Sequence, residues 1–117
     1  MSQKSYAFAL KVIKVYKQIV LEHKEYVLSK QFLKAGTSIG ALVREAEFAQ
    51  SKLDFISKLS ISLKEANETD YWISLLRDSG YTTVETANEL SNYNKELISM
   101  LVSSVKTAKF NIVKNRK

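Results

Sequence analysis

The sequence predicts an all-α protein, an up-and-down antiparallel four-helix bundle in which residues 1–117 form one domain. Three observations carry that prediction. The 117 residues include three glycines and no proline, too few turn formers for a β-sandwich or barrel. Apolar residues recur at three-and-four spacing through four long segments, the period of an amphipathic helix. The connections between those segments are short, which forces successive helices to pack antiparallel.

Helix one carries Tyr6, Ala9, Ile13, Tyr16 and Val20 on one stripe, with Lys11, Lys14 and Lys17 on the opposite side. His23, Lys24 and Glu25 interrupt this pattern, and His23 is expected in the last turn, where a cation meets the negative helix end. Helix two resumes with Leu28, Phe32, Ala35, Ile39, Leu42, Ala46 and Ala49. Its run from Ala35 to Ala41 holds Gly36 and Gly40, each costing roughly 1 kcal/mol of helix propensity. Close approach of another helix backbone is the compensation this predicts. A phosphate-cradling glycine loop would need a lysine after the run and a strand before it, and the sequence supplies neither.

Helix three opens at Ser51, whose hydroxyl can accept from a free amide while Asp54 favours the positive helix end. Its stripe runs Leu53, Ile56, Leu59, Leu63, Ala66, Ile73 and Leu76, and Gly80 supplies the left-handed residue that ends it. Phe55, Ile61, Trp72 and Leu75 spread apolar surface beyond that stripe; either a wide core absorbs them or a second surface is buried by self-association. Thr82 with Glu85 suggests a capping box before helix four, marked by Ala87, Leu90, Leu97, Met100, Leu101, Val105, Ala108 and Ile112. The tail is expected to fray around Asn115.

Charge is unevenly distributed. The net charge is +6 from Met1 to Arg44, −5 from Glu45 to Glu96, and +5 from Leu97 to Lys117. Helices one and four are neighbours in an up-and-down bundle, so both basic segments could share a face that attracts polyanions. The candidate phosphate-binding residues are Lys11, Lys14, Lys17, Lys106, Lys109, Lys114, Arg116 and Lys117; the competing view is a solvated lysine surface.

Enzymatic chemistry finds little support. The absence of cysteine removes disulfides, thiolate metal sites and thiol catalysis. The single histidine, His23, cannot supply the paired Glu-x-x-His motifs of a bundle metal site, and no serine stands in a nucleophile elbow. No metal or cofactor is expected. Asp70 falls on the apolar stripe of helix three and needs a partner, for which Arg44 and Asn94 are candidates. A structural polar pair that sets helix register is favoured there over a catalytic acid. No segment has the length and apolarity of a membrane span, and the first residues lack a signal-peptide layout, as in a cytoplasmic protein.

The segments SYAFALKVIKVYKQIV and EYVLSKQFLKAGTSIGALVREAEFAQSKLDFISKLSISLKEANETDYWISLL resemble a bacterial four-helix-bundle family. Its members were first noticed as reading frames in intervening sequences of large-subunit ribosomal RNA genes. The most specific part is Ser38-Ile39, Glu45-Ala46, Lys52, Asp54-Phe55-Ile56, Lys58-Leu59 and Lys64-Glu65-Ala66. The resemblance implies an up-and-down bundle assembled as a homopentameric ring. It also implies a relation to the accessory protein of diversity-generating retroelements, which binds nucleic acid and a reverse transcriptase. Leu42 and Ser62 depart from the family pattern, where asparagine and alanine are common. The expectation is a non-enzymatic, oligomeric bundle that binds RNA or DNA without strong sequence preference; the alternative is a protein-assembly module with no nucleic-acid ligand.

Overall fold

The computed structural model describes residues 1–115. Four helices follow in order: α1 (Ser2–His23), α2 (Leu28–Glu47), α3 (Lys52–Asp78) and α4 (Val84–Asn115). The Cα traces approach between sequence neighbours and between α1 and α4, not across the diagonals. The outcome is the four-helix ring expected from the short connections, 57 Å long and about 22 Å across.

The stripe on α1 differs from the one expected. Phe8, Val12, Val15 and Ile19, with Ser5, face the core, while Tyr6 and Leu10 are exposed. Both stripes are apolar, so spacing alone did not choose between them. The small residues of α2 decide it. A Cβ placed on Gly36 would lie 2.7 and 2.9 Å from the two γ-methyls of Val12, and one on Gly40 would lie 3.3 Å from the Ser5 carbonyl oxygen. The predicted close approach is therefore present, between α1 and α2, and it draws the Ser5–Val12 side of α1 inward.

Each helix end has a local cause. Ser51 accepts from the Asp54 amide at 3.0 Å and Asp54 accepts from the Gln50 amide at 3.3 Å, as anticipated. Gly80, at φ 82°, ends α3 with the Tyr81 amide donating to the Leu76 carbonyl, the bond of a Schellman motif. The cap of α4 is Thr83, not Thr82: its hydroxyl accepts from the Thr86 amide at 3.1 Å, three residues ahead, where a first-turn amide is free. Glu85 then falls in the first turn rather than completing a box. Helix two stops at Glu47, short of Ala49, because the Phe48 and Ala49 amides turn back to the Glu45 and Ala46 carbonyls and tighten the last turn.

Glu25, read in the sequence only as an interruption, caps α2. Its carboxylate accepts from the amides of Val27 (2.9 Å), Leu28 (2.8 Å) and Ser29 (2.8 Å), and the Ser29 hydroxyl donates to the Glu25 carbonyl. Burial alone pushes this carboxyl upward, but the three amides and the serine hydroxyl together hold it below the usual glutamate range.

Buried polar groups fix the register between helices. Asn94, fully buried, donates to the Ala66 carbonyl at 2.8 Å and to Asp70 at 3.0 Å. Asn94 is thus the partner of Asp70; Arg44 is exposed and lines a groove with Tyr6 and Ala9. Ser62, also buried, donates to the Ile39 carbonyl at 2.9 Å, tying α3 to α2.

Candidate nucleic-acid interface

The contacts between α1 and α4 set where the basic residues lie. Lys11 pairs with Glu89 at 3.2 Å and Lys4 pairs with Glu96, so residue numbers fall along one helix as they rise along the other. Tyr93 lies beneath both lysines, 4.8 Å from the Lys4 ammonium and 5.6 Å from that of Lys11, and stacks on Phe8. The Glu96 carboxylate, hydrogen-bonded to Lys4, holds that ammonium above its ordinary pKa. Lys11 and Lys4 are therefore partly neutralised by the acidic half of α4.

Lys14 and Lys17 are exposed on α1, Lys14 beside Glu89 in a shallow groove that also includes Gln18 and Thr86. Lys106, Lys109 and Lys114 are exposed too, but far away. Lys106 lies 17 residues beyond Glu89 and Lys114 25 beyond it, roughly 25 and 38 Å at 1.5 Å per residue. The two basic segments consequently do not merge into one face: antiparallel pairing sets the α1 lysines against the start of α4 and leaves the α4 lysines at the opposite end. Arg116 and Lys117 lie outside the described residues.

The end of α4 outruns α1. The Ser104 hydroxyl faces the Met1 sulfur at 3.8 Å, so α4 reaches the start of α1 at about this level and runs on beside the end of α2, the turn after it and the start of α3. Ala108 and Ile112 point to the core, and Ala108, Asn111 and Lys114 form one wall of a cleft of about 550 Å³ against Ala46, Glu47, Lys52 and Phe55. At 3.6 residues per turn the outward side collects Lys106, Lys109, Phe110, Val113 and Lys114. Phe110 is 66% exposed and Val113 60%. Among the described residues no carboxylate pairs with Lys106, Lys109 or Lys114, and no acidic residue occurs from Leu97 to the end of the sequence.

Sequence reasoning found the lysines of this overhang and missed Phe110. The signal was available in the run KTAKFNIVK, where an aromatic residue stands four positions from a lysine on either side.

Residues 1–103 match the model of the 23S rRNA-intervening sequence protein family. The chain belongs to that family. The chain is also similar to a crystal structure from Bacteroides thetaiotaomicron, described as a protein of unknown function from the S23 ribosomal protein family. The TM-score is 0.88 and the identity 50%, over 90% of this chain and 97% of that one. No curated protein matches. The match to the 23S rRNA-intervening sequence family ends at Ser103, one residue before α4 passes the start of α1. Lys106, Lys109 and Lys114 therefore lie beyond the matched residues. No described helix is long and apolar enough to cross a membrane.

Proposed function

We propose that this 23S rRNA-intervening sequence family member is a non-enzymatic homo-oligomer that binds RNA or DNA through phosphate contacts, without strong sequence preference. The observation that carries this is the α4 overhang: three exposed lysines in a stretch of sequence with no carboxylate. Lys14 and Lys17 form a weaker second patch, with Glu89 close to Lys14. Nothing in either patch has the geometry of a base-edge reader, so affinity comes from charge neutralisation and counterion release. Repetition of the patch around an oligomer raises the avidity.

Self-association is supported by the apolar side chains left outside the core. Tyr6 and Leu10 on α1 and Leu53, Ile61 and Tyr71 on α3 are exposed, apolar surface that contact between subunits would bury. A pentamer, as the family resemblance implies, would give a light-scattering mass about five times 13.3 kDa; a 13.3 kDa species at micromolar concentration contradicts it.

Filter binding of labelled single- and double-stranded RNA and DNA tests the ligand. Complexes at roughly 100 mM salt and micromolar protein are expected. No complex with any of the four, from intact oligomer, would leave the protein-assembly alternative.

A further inference from the structure

The α4 overhang carries more than charge. Lys106, Phe110 and Lys114 are spaced by four residues, which places them in one line along the helix, with each lysine one turn, about 6 Å, from the ring. Lys109 flanks the ring and Val113 lies beside it. Phe110 makes no aromatic pair among the described residues, and its ring is two-thirds exposed. An exposed aromatic ring bracketed by cations presents a flat π-face to one base while the cations meet the phosphates on either side. That is the recurring arrangement of surfaces that take unpaired nucleic acid.

We propose that Phe110 stacks on an unpaired base, which makes single-stranded nucleic acid the preferred ligand of the overhang. This rests on the phosphate-binding role proposed above. Duplex bases are already stacked on each other and offer their faces to nothing outside, so a duplex can use the lysines but not the ring. A lipid surface fits less well: Phe110 and Val113 are the exposed apolar residues of the overhang, while Ala108 and Ile112 are turned to the core. Interfacial helices bury a much broader apolar face. The overhang lies beyond the part matched by the family model, so the preference belongs to this chain and need not extend to relatives lacking the segment.

The test is fluorescence anisotropy with an oligouridylate of about 20 nucleotides and an RNA duplex of matching length, using the full chain. Wild type should bind the single strand more tightly. Phe110→Ala and Phe110→Leu should each weaken single-strand binding by roughly fivefold or more and change duplex binding by less than about twofold, and Phe110→Trp should restore it. The charge is unchanged in all three variants, so their salt dependence should match wild type.

Equal loss on both ligands, or no loss on either, overturns the stacking role and leaves the phosphate role standing. Absence of any complex overturns both. A change in light-scattering mass in Phe110→Leu would assign the ring to the contact between subunits and overturn the proposal. The same follows if polyglutamate, or vesicles of phosphatidylglycerol, bind with equal sensitivity to Phe110 replacement.

Discussion

Replacing Gly36 with alanine tests the contact that organises the bundle. The new Cβ would sit 2.7 and 2.9 Å from the two γ-methyls of Val12 and 3.3 Å from its Cβ, where unstrained carbon contacts are about 3.5 to 4.0 Å. Val12 is fully buried and β-branched, so χ1 is stiff. Rotation cannot clear the clash in any case, because both methyls are involved. The α1 and α2 backbones must part. Overpacking of this kind costs typically ~1–3 kcal/mol, and the gain in helix propensity from glycine to alanine is ~1 kcal/mol. Two contacts below 3 Å place the cost in the upper part of that range, for a net loss of about 1 to 2 kcal/mol. Urea denaturation followed by circular dichroism, at fixed protein concentration because self-association would shift the midpoint, measures it. In a Val12→Ala background the obstructing methyls are gone and only the 3.3 Å approach to the Cβ remains, so the same replacement should no longer destabilise and should gain up to about 1 kcal/mol. If Gly36→Ala stabilises the wild-type chain, the helices are not held at this distance and the account of α1 is wrong.

Other outcomes follow from the caps, the buried hydroxyl and the surface charge. Glu25→Gln should cost about 1 kcal/mol at neutral pH by weakening the α2 cap. Since the Glu25 carboxyl is held low in the fold, its contribution is present above the ordinary glutamate range and lost as pH falls through the lowered value; acid titration of stability should be shallower in the variant. Ser62→Ala should cost about 0.5 to 1.5 kcal/mol in thermal or urea melts, the net value of one buried hydrogen bond. Asn94→Ala should cost more, about 1 to 3 kcal/mol, because Asp70 and the Ala66 carbonyl lose their shared donor. Lys11→Gln alone should leave nucleic-acid affinity nearly unchanged, since Glu89 already neutralises that charge; a large loss in anisotropy titrations would show that the pair opens on binding.

The helices, their order and the antiparallel ring were readable because period, turn composition and short connections all pointed to the same answer. The small-residue run announced a close helix contact, although Gly36 makes a tighter one than Gly40. What the residues did not disclose were choices that belong to pairs of helices. Two apolar stripes compete on α1, and only the glycines of the neighbouring helix select Ser5, Phe8 and Val12 over Tyr6, Ala9 and Ile13. The separation of the two lysine groups is likewise a matter of register: adjacency of α1 and α4 was correctly anticipated, but antiparallel pairing carries their basic segments to different levels. Glu25 was obscured because its role as a cap needs the chain to reverse around it. Phe110 had a signal in its four-residue spacing from Lys106 and Lys114, but which side of α4 faces outward there depends on the packing of the helices.

The salt dependence of binding tests the central claim most directly. The slope of log affinity against log salt counts the phosphates that lysines neutralise, about 0.7 per contact for a single strand. With three overhang lysines engaged, the account predicts a slope of about −2 per engaged subunit for an oligouridylate. Lys106→Gln, Lys109→Gln and Lys114→Gln together should flatten it severely, while the same change at Lys11, Lys14 and Lys17 should leave most of it. A slope that survives loss of the α4 lysines, or one that collapses only when the α1 lysines are removed, would contradict the assignment of the interface to the end of α4.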